Sequence, residues 1–241
     1  MTESRFPGRW LGGAALVLGP ALMLAGVLLR AGHHFFFPDQ LAAYASDPTT
    51  MFAAYSLFLA GNIVLWPGVA VLAQRIGATR PALAAWGGAL VTFGLFARAF
   101  HAGVDHLAFQ LVRVQDLSAA TQAVADSYGA YHIVSALSLA IMAGWVVLAV
   151  GAWRAGVFGL ARAVALSTMA ALPLGVLKGT TLLSIVAVAG LAAVLVPFGV
   201  QTLREAVRES LREGTKPGTL LGWVGAVLAA SAAMALLGVL G

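Results

Sequence analysis

The stretch LFARAFHAGVDHLAFQL, residues 95 to 111, sets Arg98, His101, Asp105 and His106 within an otherwise apolar run. These side chains carry the means for proton and anion chemistry. An imidazole changes charge near neutral pH, a carboxylate orients it or takes a proton, and a guanidinium holds an anion. On a helix turning about 100° per residue, with Arg98 at zero, His101 falls at roughly −60°, Asp105 at roughly −20° and His106 at roughly +80°. All four share one broad face.

The rest of the chain adds candidates. His33 and His34 follow the first apolar run, and His132 opens the fourth, with Tyr128 and Ser135 on its face at i−4 and i+3. Asn62 lies one turn before WPG, where Pro67 leaves the carbonyl of Ile63 without its usual donor, and Tyr55 shares the stripe of Asn62.

Three chemistries fit this constellation. Arg98 and Asp105 can form an ion pair while the histidines hydrogen-bond at the membrane interface. Alternatively His101, Asp105 and His132, with His106 or His33 as further donors, can hold a divalent metal such as zinc, iron or copper. The i,i+4 spacing suits two ligands on one ion, although no HExxH element is present. In the third, a His101–Asp105 pair performs acid/base work on a bound substrate and Arg98 clamps an anionic group. In the second and third accounts His106, Tyr128, Asn62, Ser135 and Tyr55 line the site.

The elements that must position these groups are membrane spans. The 241 residues are 61% hydrophobic and only 10% charged, against about 25% charged in soluble domains. Runs of about 20 apolar residues, continuous rather than alternating, predict an all-α polytopic membrane bundle and not a β-barrel. Seven spans are expected, at about 10–29, 51–73, 82–103, 131–153, 160–177, 181–200 and 220–240, in a single domain covering 1–241. The apolar stretch 160–200 would measure about 60 Å as one helix, twice a hydrocarbon core, so it is expected to turn at PLGVLKGT, residues 173 to 180. Arg30, not a small-residue cleavage site, follows the first run, which reads as an uncleaved span rather than a signal peptide.

Basic residues set the expected orientation. With the N-terminus cytoplasmic and the C-terminus outside, ten of the 14 Lys and Arg fall on the cytoplasmic side; Arg30, Arg98, Arg113 and Lys178 remain in the outer half. Helix 3 then carries Arg98 roughly 24 Å across and Asp105 roughly 34 Å across, so the cluster sits in the outer part of a core about 30 Å thick. A multi-pass protein of the cell membrane is expected, with the lipid bilayer as its first partner.

Other segments have plainer readings. SDPTTMF caps the second span, and Val112–Ser127 includes a short helix. Phe35 to Phe37 form an interfacial anchor or a lid. LREAVRESLREG is an amphipathic extension stopped by Gly214. Gly/Ala clusters such as LGGAA, WGGAL and LGWVGAVLAASAA suit close helix packing, within the chain or in an oligomer. The formal charge of +5 is spread over short loops, as topology requires, and does not point to nucleic acid. The lack of cysteine excludes disulfides, thiolate metal sites and a Cys nucleophile. No GxSxG element supports a serine triad, and GGAAL lacks the lysine of a phosphate loop.

SDPTTMFAAYSLFLAGNIVLWPGVAVLAQRI, LVTFGLFARAFHAG and DSYGAYHIVSALSLAIMAGW together resemble, over residues 10 to 155, small multi-span bacterial membrane proteins grouped only as domains of unknown function. That resemblance implies a helical bundle. Size and span count are also similar to the seven-span membrane-bound terpene cyclases of meroterpenoid pathways, in which embedded acidic residues protonate an olefin or epoxide. With no glutamate in any expected span, Asp105 is the carboxylate that this resemblance would put in that role.

The preferred expectation is a membrane enzyme acting on a lipid-like or isoprenoid substrate, with His101 and Asp105 as acid/base or metal-ligand pair, Arg98 as clamp and His132 and His106 completing the pocket. The alternatives are a small transporter, immunity or ligand-sensing protein using the same groups, and a structural membrane subunit.

Overall fold

A computed structural model describes residues 7–128, 134 and 137–212, and among them all regular structure is helical. The helices are α1 (Gly8–Leu29), α2 (Phe37–Ser46), α3 (Pro48–Gly77), α4 (Pro81–Val114), α5 (Leu117–Ser127), α6 (Leu137–Arg154), α7 (Leu160–Ser167) and α8 (Leu182–Arg212); a 3₁₀ turn, Thr168–Ala171, follows α7. Five of these, α1, α3, α4, α6 and α8, are long and apolar enough to cross a membrane. The chain divides into two compact units, Met1–Thr202 and Leu203–Gly241. In the second unit the described residues are the helical Leu203–Arg212, which contain the expected amphipathic repeat. The expected seventh span, the expected stop at Gly214 and the start of the fourth span at residue 131 lie outside the described residues.

Small residues decide which helices of the first unit touch. Gly12, Gly19 and Gly26 recur every seven residues along α1 and meet α3 at Pro67 and Val71, at Gly61 and Leu65, and at Ala54 and Phe58. Gly87 and Gly94 of α4 meet Leu148 and Ile141 of α6, while Gly144 of α6 meets Leu90 and Val91. Membrane helices have no hydrophobic drive to associate, so close backbone approach and dispersion must hold them. LGGAA and WGGAL thus mark packing faces, and the third such cluster lies outside the described residues. The core that forms around these seams contains Leu16, Met23, Leu65, Leu72, Val91, Trp145, Leu148 and Leu191.

The span expected at 160–177 is not a continuous helix. α7 and its 3₁₀ turn cover 12 residues, about 18 Å, well short of a bilayer core of about 30 Å. The reason is local. Pro173 pushes Leu172 into an extended conformation (ψ 119°). Beyond it Gly175 adopts φ 141°, open only to glycine, and Leu177 takes φ 48°, rare for a side chain of that kind. Residues 172 to 181 therefore run unwound alongside α4, past Arg98 and then Asp105, to reach the loop at Phe35. Only at Leu182 does helix resume, and it continues beyond the expected residue 200 to Arg212.

Two further helices close the end of the first unit at which α1 finishes. α2, expected as loop, carries Pro38 in its first turn, where a fixed φ suits the helix. It packs Phe37, Leu41 and Tyr44 against Met51, Phe109, Val124 and Leu177. Phe37 is thus core rather than interfacial anchor. α5 fills the expected place of the short helix.

The expected cap of the second span is present: Asp47 accepts a hydrogen bond from the Thr50 N–H at 3.0 Å. That bond holds the Asp47 carboxyl below its ordinary value of 3.8. A lowered pKa adds stability above the ordinary value and loses it as pH falls through the folded one. The expected result is that Asp47→Asn, which keeps an acceptor but does not titrate, weakens the acid sensitivity of thermal unfolding below about pH 4. Identical acid profiles for both proteins would show that this cap does not govern it.

Candidate functional site

Non-helical backbone buried inside a helical bundle needs partners for its N–H and C=O groups, because water does not supply them there. The segment 172–181 takes them from the residues that make the α4 stretch polar. Arg98 donates from Nη2 to the Leu172 carbonyl at 3.1 Å and from Nη1 to the Pro173 carbonyl at 3.0 Å. Asp105 accepts from the Leu177 N–H through Oδ1. Further along, the Gly179 N–H donates to the Phe35 carbonyl at 2.9 Å and the Thr180 hydroxyl to the Val27 carbonyl at 2.9 Å. Thr181 and Ser184 cap the start of α8 reciprocally, each hydroxyl accepting from the other's N–H.

Behind this segment lies a cavity of about 40 Å³ lined by Arg30, Tyr55, Phe58, Arg98, His101, Ala102, Asp105, the backbone turn at Leu172–Gly175, Lys178, Gly179 and Ser184. It has room for a few waters or a small polar head and none for an isoprenoid chain. Its lining includes three cationic residues, Arg30, Arg98 and Lys178, and, among the described residues, one carboxylate, Asp105. Arg30 is only 5% exposed, yet its guanidinium is held by π faces, 4.4 Å above the Tyr55 ring and 5.0 Å from Phe58. Among the described residues, its Nε and that of Arg98 find no hydrogen-bond partner.

The expected site residues divide. Arg98, His101, Asp105 and Tyr55 converge on the cavity. Tyr55 is fixed by its hydroxyl, which donates to Gln40 Oε1 at 3.0 Å, and by an edge contact with Phe109. Arg98 and Asp105 do not pair with each other; each serves the unwound backbone. His106 is exposed beside Phe52, so its position at the edge of the helical face carries it out of the site. Asn62 is buried but away from the cavity, tying α3 to α4 through Nδ2 and the Leu95 carbonyl at 2.9 Å. Tyr128 stacks on Phe37 outside the cavity. His132 and Ser135 lie outside the described residues. Of the loop histidines, His34 meets Asp39 at 3.0 Å on the surface. Among the described residues no three His, Cys, Asp or Glu side chains converge as a metal site.

Sequence reasoning missed Arg30 and Lys178, although a signal existed. They belong to the four basic residues that the orientation rule left in the outer half, and with Arg98 three of those four meet at one cavity. This chain matches no protein-family model, no curated protein and no solved structure.

Proposed function

We propose that this is an integral membrane protein whose outer-half cavity binds a small anionic group, a carboxylate or phosphate, for transport or sensing. The carrying observation is charge: the buried Arg30 and Arg98 line the cavity with one carboxylate, the half-buried Lys178 stands at its side, and among the described residues both guanidinium groups keep an unused Nε. Unbalanced charge at membrane depth is costly, and an anion relieves it while filling the open donors. The unwound segment supports this class, because broken spans at ion sites recur in transporters. In this reading the chain crosses the membrane seven times with its N-terminus cytoplasmic, as the basic residues direct, and the broken segment serves as the fifth crossing.

Inorganic phosphate is expected to raise the unfolding midpoint of the purified full-length protein in detergent, and Arg30→Gln to weaken that effect about tenfold or more, a charged hydrogen bond being at stake. Arg30→Lys, which keeps charge but loses the planar fork, is expected to fall between. Equal responses to phosphate and acetate in wild type and Arg30→Gln would reject the site.

A second reading rests on His101 and Asp105 lining the same wall. There the pair performs acid/base chemistry, with or without a metal, on a lipid-like or isoprenoid substrate whose reacting head alone enters. Product formed by wild type and abolished in a folded His101→Ala protein would favour it.

A further inference from the structure

Beside the cavity, the ammonium of Lys178 lies 5.1 Å from the Phe35 ring, 5.7 Å from Phe36 and 5.1 Å from Tyr128. Three aromatic faces around one cation form a cage, the arrangement that binds methylated ammonium groups. Ring contacts hold two of the three cage walls, Phe36 and Tyr128, without help from the lysine. Phe37 stacks on Tyr128 at 4.8 Å, and Phe36 meets Phe37 and Tyr128 edge-on at 4.8 and 5.9 Å. Phe37 anchors the group by burial, while Phe36 remains 40% exposed among the described residues. The Tyr128 hydroxyl is buried without a hydrogen-bond partner. Lys178 also lines the cavity, so one side chain bridges the cage and the cationic wall.

We propose that this cage and the adjacent cavity together form a site for a zwitterion, a methylated ammonium joined to a phosphate or carboxylate, with Lys178 occupying the cation half in the empty protein. This rests on the anion-binding reading and names its ligand class. A methylated ammonium is more weakly hydrated than the lysine ammonium and gains more from the same rings. On its arrival Lys178 leaves the cage, and its charge becomes available to the ligand's anion. The displacement is an exchange of one cation for another over the same faces, so the cage never stands empty.

The test uses the full-length protein in detergent and follows binding by calorimetry. Phosphocholine is expected to bind on the order of tenfold more tightly than inorganic phosphate. Phe36→Ala, at a partly exposed position, should erase that preference while inorganic phosphate still binds. Tetramethylammonium, which has no anion, should bind several-fold better to Lys178→Gln than to wild type, because the cage has lost its occupant. Tyr128→Phe keeps the ring face and should retain the tetramethylammonium response. The source of the zwitterion is read in nanodiscs. Stabilisation by phosphatidylcholine over phosphatidylglycerol assigns a lipid headgroup, and stabilisation by free phosphocholine or glycine betaine in either lipid assigns a solute. If phosphate and phosphocholine bind wild type equally and Phe36→Ala changes neither, the cage plays no part and only the anion site stands. If neither ligand binds, both proposals fall.

Discussion

Asp105→Ala is expected to destabilise the protein by about 1–3 kcal/mol, while Asp105→Asn retains most of its stability and binds anions more tightly. The alanine removes two things together. It strips the Leu177 N–H of its acceptor at a position where the backbone is unwound and buried, so that water offers no ready replacement. It also removes the one carboxylate that, among the described residues, lines the cavity together with Arg30, Arg98 and Lys178. Asparagine presents an oxygen at the same place, so the Leu177 bond survives; its cost is confined to the lost charge, which a bound anion offsets. Thermal unfolding in mild detergent, with and without phosphate, separates these effects. An Asn variant as unstable as the Ala variant, phosphate or no phosphate, would show that Asp105 acts through its charge and not as a backbone acceptor.

This double role explains what was legible in the sequence at residues 95 to 111. Helical phase identified Arg98, His101 and Asp105 as neighbours, and the cavity they line follows that phase. Phase at the edge of a face is less informative: His106, at roughly +80°, turns out of the site. Depth and phase also could not reveal what the polar groups were for. Their partners lie some 70 residues away, on a segment whose apolar composition reads as ordinary span. The break at 172–181 was visible only as a turn signal, Pro173 with Gly175 and Gly179, and a turn signal does not distinguish a tight hairpin from an extended crossing.

Arg30 and Lys178 were obscured for a different reason. A basic residue at the end of an apolar run ordinarily marks the membrane boundary, and that rule assigned Arg30 a role before its environment was considered. Burial between Tyr55 and Phe58 depends on α3 returning beside α1, a long-range fact that no local pattern carries. Likewise α2 is 10 residues long and weakly apolar, and its aromatic residues gave the period of neither a span nor an obvious soluble helix. Tertiary contact with Phe109 and Leu177 stabilises it.

Gly61→Leu is expected to be among the most damaging substitutions in the bundle outside the cavity, and its effect should reach the cavity. A Cβ on Gly61 would stand 2.5 Å from the Gly19 carbonyl oxygen and 2.7 Å from the Met23 nitrogen. Both are backbone atoms on the facing helix, so no side-chain rotation relieves the clash and α1 must move away from α3. Overpacking of this kind costs about 1–3 kcal/mol where side chains can adjust and more where they cannot. Even Gly61→Ala should lower the unfolding midpoint, with leucine lowering it further. Gly103→Ala supplies the control: it lies in α4, nothing stands within 4 Å of its added Cβ, and alanine favours helix there. The consequence for binding follows from where the two helices lead. Arg30 stands at the end of α1, and the rings that hold it, Tyr55 and Phe58, belong to α3. Separating the helices at Gly61 pulls the guanidinium away from those rings, so Gly61→Ala should lose phosphate affinity along with stability. Gly103→Ala should lose neither. If Gly61→Ala lowered the melting point but bound phosphate as tightly as wild type, Arg30 would not depend on the α1–α3 seam for its position. The anion site would then owe its geometry to α4 and the unwound segment alone.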